Sequence, residues 1–70
     1  MDLSIIIVNY ATYQMTSDTI HSVIDTVYDI SYEIIVVDND SPDDSAQKLI
    51  DEFKDYENIN IILKNIQKFL

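Results

Sequence analysis

Seventy residues carry 13 Asp or Glu against 4 Lys or Arg, a net charge of −9, with no cysteine and no glycine. Such a charge repels nucleic-acid phosphates and anionic lipid headgroups, and the absence of cysteine excludes disulfide scaffolds, thiolate metal sites and cysteine nucleophiles. The length admits one small domain, and 47% hydrophobic residues are too many for a disordered acidic tail, so the chain is expected to fold or to associate. The longest apolar runs, Ile5 to Val8 and Ile34 to Val37, fall far short of the ~20 residues of a membrane span. Asp2 stands where a signal peptide needs positive charge. A reduced, cytoplasmic location is the expectation.

The first predicted element is a strand over residues 3–8, a β-branched run whose apolar residues are consecutive. That pattern suits a strand of a parallel sheet covered on both faces. A helix is predicted over residues 12–28, because Met15, Thr19, Ile20, Val23, Ile24 and Val27 recur at helical spacing and form its buried stripe. Its polar side carries Ser17 and His21, the latter read as a solvated histidine with no assigned role. A second strand is expected over residues 33–38. Ser41-Pro42-Asp43-Asp44 then opens a second helix over residues 42–56, with Ser41 as cap, Pro42 at the first helical position and carboxylates near the positive dipole end. Ala46, Leu49, Ile50, Phe53 and Tyr56 form its buried stripe, and the acidic residues from Asp43 to Glu57 its solvated face. A third strand covers residues 59–63. Residues 64–70, ending in Phe69 and Leu70, carry no assignment.

The order β-α-β-α-β favours parallel strands joined by right-handed crossovers. The expected class is therefore α/β, a three-layer Rossmann-like unit with a short parallel sheet, in a single domain spanning residues 1–70.

In open parallel sheets ligands collect at the carboxyl ends of the strands. Two loops lie there, residues 9–12 and residues 38–41. Asp38 ends the second strand, where its carboxylate can accept from a ring N–H or a ribose hydroxyl, or can close its own loop as an Asx-turn; the strand-end position favours the ligand. Asp40 either contacts ligand or supports the helix start, and nothing separates the two. Tyr10 can stack on a planar base or close the top of the core.

Leu3-Ser4-Ile5-Ile6-Ile7-Val8-Asn9-Tyr10, followed by a helix and then by Glu33-Ile34-Ile35-Val36-Val37-Asp38-Asn39-Asp40-Ser41, resembles the opening of family 2 glycosyltransferases, most of all rhamnosyltransferase-like members. These are inverting enzymes of the GT-A fold that use nucleotide-sugar donors. The resemblance runs from Leu3 to about Leu63 and implies a truncated GT-A fold, the nucleotide-binding start of a longer enzyme. It places Tyr10 by the nucleobase, Val8 close to the base at the strand end, and Asp38 in a hydrogen bond to the base, with Asp40 at a more variable position. Ala11 stands where the family commonly has Asn, and Pro42-Asp43-Asp44-Ser45 replaces a stretch ending in Asp-Gly-Ser. Without that glycine the loop is expected to keep to negative φ.

The resemblance further implies a divalent cation, Mg or Mn, for the complete fold. Its Asp-x-Asp motif comes well downstream, so Asp38-Asn39-Asp40 is not that motif, no metal is expected on this chain alone, and no catalytic residue is assigned. The chain is expected to offer nucleobase and ribose contacts to a nucleotide-sugar donor without transferring sugar. One alternative is a non-catalytic fold fragment that self-associates as a homo-oligomer, through an unpaired sheet edge at the first strand or through exposed helix faces. The other is a Mg-dependent haloacid-dehalogenase-like phosphatase, with Asp38 as nucleophile and Asp40 as acid or base.

Overall fold

A computed structural model describes residues 2–64. In chain order the elements are β1 (Leu3–Asn9), α1 (Tyr13–Thr26), β2 (Tyr32–Asn39), α2 (Ser45–Phe53) and β3 (Ile59–Lys64). The three strands make one parallel sheet in the order β1-β2-β3, with Ile5 beside Ile34 and Ile34 beside Ile59. The α/β class and the parallel arrangement are as expected, and each strand extends slightly beyond its predicted run. Residues 65–70, most of the unassigned tail, lie outside the described residues.

Layering departs from the expectation. Ile34, Val36 and Ile59 are buried, as are Ile20 of α1 and Leu49 and Phe53 of α2, and all six belong to one core. Both helices therefore pack on the same face of the sheet. The reason is topological: with strands in sequential order, two right-handed crossovers step in the same direction and put their helices on the same side. The described residues make two layers. On the opposite face Ile6 and Val8 are 60% and 64% exposed.

Helix α1 is also turned relative to its predicted stripe. Thr16, Ser17 and Ile20 are buried, whereas Met15 is 70% exposed and Thr19 lies in solvent. The cause is polar. Thr16 serves a hydrogen-bond network at the end of β1, and Tyr13, Ser17 and His21 face Glu52 of α2. The Tyr13 hydroxyl donates to Glu52 at 2.6 Å, Ser17 Oγ donates to both carboxylate oxygens, and His21 Nε2 lies 2.7 Å from Oε2. His21 also packs on Phe53 at a centroid separation of 5.2 Å. It is exposed, as a solvated histidine is expected to be, and it also takes part in the helix pairing, a role the sequence does not suggest.

Burial pushes the Glu52 carboxyl up, but hydrogen bonds from Tyr13, His21 and Ser17 outweigh it and hold the group below the usual range. The same contact raises Tyr13, whose phenolate would face that carboxylate.

Helix α2 starts three residues later than predicted. Asp43 accepts from the backbone N–H and the hydroxyl of Ser45, closing a turn that holds Pro42 and Asp44 ahead of the helix. From there Leu49 and Phe53 fall on the buried face, as the periodicity requires.

Candidate functional site

Sheet register sets the site. Asn9 pairs with Asp38 across β1 and β2, and both point to the helix-covered face at the carboxyl ends of the strands. Asn9 is fully buried, and its amide reaches full hydrogen-bonding capacity. Its Nδ2 donates to Asp38 Oδ1 at 2.8 Å and to Ser41 Oγ at 3.3 Å, while its Oδ1 accepts from Thr12 at 3.0 Å and Thr16 at 2.8 Å. Thr12 precedes α1 without capping it, since its hydroxyl turns to Asn9.

Ser41 is the second organiser. Its Oγ donates to Asp38 Oδ1 at 2.6 Å and accepts from Asn9 and from the backbone N–H of Ala11 at 2.9 Å. One hydroxyl thereby joins the loop after β1 to the loop after β2. Ser41 N donates to Asp38 Oδ2 at 3.0 Å, so the carboxylate closes its own loop, one residue wider than an Asx-turn. The cap role expected of Ser41 falls instead to the residues around Asp44.

Asp38 is only 3% exposed. Burial drives its carboxyl up, yet hydrogen bonds from the Ser41 hydroxyl, the Asn9 amide and the Ser41 N–H together hold it below the usual range. It is therefore an anion that organises the two loops from beneath. Of the roughly four acceptor positions of a carboxylate, three are used, leaving one on Oδ2.

The other candidates lie around this network. Tyr10 is 54% exposed, immediately after β1. Asp40 is exposed at the tip of the second loop. Val8 alternates to the uncovered face of the sheet, so the structure does not bring it together with Asp38. Asn9, Thr12, Thr16 and Ser41 were missed as a group. The only signal for them in the sequence is a polar residue ending each of two aliphatic runs at paired positions.

Both loops take left-handed backbone without glycine: Ala11 has φ 52° and Asp40 has φ 55°. Neither lies in Pro42-Asp43-Asp44-Ser45, the stretch for which the missing glycine led to the expectation of negative φ, and no residue of that stretch has positive φ. Asp tolerates that region better than Ala, whose Cβ costs about 1 kcal/mol there. Ala11→Gly is expected to stabilise the chain by about 0.5–1 kcal/mol in urea unfolding, with a smaller gain for Asp40→Gly; destabilisation by Ala11→Gly would contradict the loop geometry.

The sequence model of the family described as Glycosyl transferase family 2 matches residues 4–69. This chain belongs to glycosyl transferase family 2. No match was found among curated proteins. As a family 2 glycosyltransferase chain, its two loops sit where parallel α/β sheets take their ligands. Asp38 is committed inward, and no group of three or more His, Asp or Glu among the described residues converges to hold a metal ion. No helix among them is long and apolar enough to cross a membrane.

Proposed function

We propose that the chain forms the nucleotide-binding beginning of a nucleotide-sugar-dependent glycosyltransferase in the cytoplasm, within a rhamnosyltransferase-like branch. Tyr10 stacks on the nucleobase, Asp38 acts from beneath by holding in place the two loops that border the base, and the backbone around Asp40 borders the ribose. Val8, on the opposite face of the sheet, is left out of this site. The observation that carries this reading is the Asn9–Asp38–Ser41–Ala11 bridge, which fixes two strand-end loops as one rim beside an exposed tyrosine in a family 2 chain. Asp38 serves best while ionised and oriented, and its partners provide both.

The chemistry of transfer needs a general base for the acceptor hydroxyl and charge neutralisation of the departing diphosphate. We assign neither to residues 1–70, and the divalent cation of the complete fold belongs with ligands outside them. The phosphatase alternative is not favoured. It requires Asp38 as an exposed nucleophile, and the carboxylate is buried and hydrogen-bonded.

Titration with uridine or thymidine diphosphate, followed by NMR, tests the proposal. Millimolar nucleotide is expected to shift the amide resonances of Tyr10, Ala11, Asn39 and Asp40, with no turnover of a nucleotide-sugar by the same protein. Tyr10→Ala is expected to weaken binding by roughly 1–3 kcal/mol, the value of one base–aromatic stack. Unmoved loop resonances at millimolar nucleotide would overturn the binding role, and turnover would overturn the assignment of catalysis to residues elsewhere.

A further inference from the structure

The hydroxyl of Ser41 has no hydrogen-bonding capacity left for a ligand. It has one proton to donate and two lone pairs to accept with. The proton goes to Asp38 Oδ1 at 2.6 Å, and the lone pairs take Asn9 Nδ2 at 3.3 Å and the Ala11 backbone N–H at 2.9 Å. A saturated side chain at a rim acts through what it holds, and beyond the strand ends Ser41 holds Ala11. Asp38 is buried and ionised, so it polarises the Ser41 O–H and makes Oγ a stronger acceptor for the Ala11 N–H.

Ala11 needs that hold. Its φ of 52° lies in the left-handed region, where Cβ crowds the carbonyl and only glycine sits freely. The chain on either side is anchored: Asn9 is buried in register with Asp38, and the Thr12 hydroxyl donates to Asn9 at 3.0 Å. Between these anchors stands Tyr10, 54% exposed. Released from Ser41, Ala11 favours negative φ, and with both flanks held the change is taken up at Tyr10.

We infer that Ser41 is a positioning residue for the nucleobase: its hydroxyl keeps Ala11 left-handed and thereby presents the Tyr10 ring of the neighbouring loop at the rim. The inference rests on the nucleotide-binding reading and goes beyond it. Ser41 touches no part of the nucleotide, yet it sets the fraction of chains ready to bind, and apparent affinity scales with that fraction.

Two NMR measurements on the full 70-residue chain test it: exchange of the Ala11 amide with water in the absence of ligand, and titration with uridine diphosphate. In the wild type, nuclear Overhauser contacts between the Ser41 β protons and the Ala11 amide are expected, a check on the bridge that needs no substitution. Ser41→Ala is expected to speed Ala11 exchange about tenfold and to weaken uridine diphosphate about tenfold. Ser41→Thr keeps the hydroxyl and is expected to hold both within about threefold of wild type. Ser17→Ala removes a bond of the helix pair, so it lowers stability while leaving Ala11 exchange and affinity unchanged. Urea unfolding confirms that each variant is folded under the titration conditions. Absent contacts, or Ala11 exchange indifferent to Ser41→Ala, would overturn the bridge while leaving the nucleotide reading intact. Faster exchange with unchanged affinity, or a Ser41→Thr variant as weak as Ser41→Ala, would overturn the positioning role. A wild type unmoved by millimolar uridine diphosphate would overturn the nucleotide reading and this role with it, and the Ala11 exchange rates would tell that failure from a failure of the bridge.

Discussion

Asn9→Leu is expected to lower the stability of the chain by about 3–5 kcal/mol. The side chains are close in volume, so the loss is one of polar partners. Asp38 keeps its burial and its charge but loses the Asn9 amide, and the buried Thr16 hydroxyl loses its acceptor. A hydrogen bond to a charged group is worth about 1.5–3 kcal/mol, and each buried polar group left without a partner costs about 1–3 kcal/mol more. A domain of this size has only about 4–10 kcal/mol in total. Urea unfolding followed by circular dichroism should therefore show a midpoint lowered by about a third or more. Asn60→Leu is the control: it lies exposed on β3 and should move the midpoint little. A stability change below about 1 kcal/mol for Asn9→Leu would show that the network does not hold the strand ends together.

Acid should unfold the chain, and the sign follows from the carboxylates. Asp38, Asp43 and Glu52 all sit below their ordinary values in the fold. Burial opposes the shift in Asp38 and Glu52 but is outweighed by donated hydrogen bonds; for Asp43 the Ser45 hydroxyl and then its N–H are the leading causes. A group whose folded pKa is depressed binds its proton more readily when unfolded, so the stability it confers is present above the unfolded value and lost as pH falls through the folded one. Stability should thus be level through neutral pH and fall once pH drops below the ordinary carboxylate range near ~4. Helical circular dichroism and urea midpoints across pH 2–8 would measure it. Glu52→Gln should flatten the acid limb, since a neutral amide does not titrate. An unchanged midpoint between pH 6 and pH 3 would contradict the depressed carboxyls.

What the sequence conveyed, and what it withheld, divides along physical lines. Ile5 to Val8 and Ile34 to Val37 announce strands, and their long separation announces crossovers, so order and parallel pairing were legible. Which face the helices cover was not, because a run of consecutive aliphatic residues looks the same from either side. The start of α2 was displaced for a local reason: Asp43 closes a turn onto Ser45, a competition between side chain and helix that Pro42 at an expected helix start conceals. At the site, the residue type at Asp38 was informative but its direction was not. Whether a strand-end aspartate points outward to a ligand or inward to an amide depends on the residue paired across the sheet, and that residue is Asn9, 29 positions away and adjacent only after folding. Ser17 and His21 were assigned to solvent for the same reason, since Glu52 reaches them only when the helices lie side by side.

The Asn9–Asp38 pair also resolves an ambiguity the sheet would otherwise carry. Ile-Ile-Ile-Val and Ile-Ile-Val-Val can slide past each other by one residue with almost no change in aliphatic contact, yet such a slip turns every side chain of a strand to the other face. A shift of β1 by one position would carry Asn9 out of reach of Asp38 and Thr16 and strand their polar atoms beneath the loops. The correct alignment alone satisfies all of them. The polar pair thus acts as an alignment key, and the two loops that it anchors meet only because the strands below them are in step.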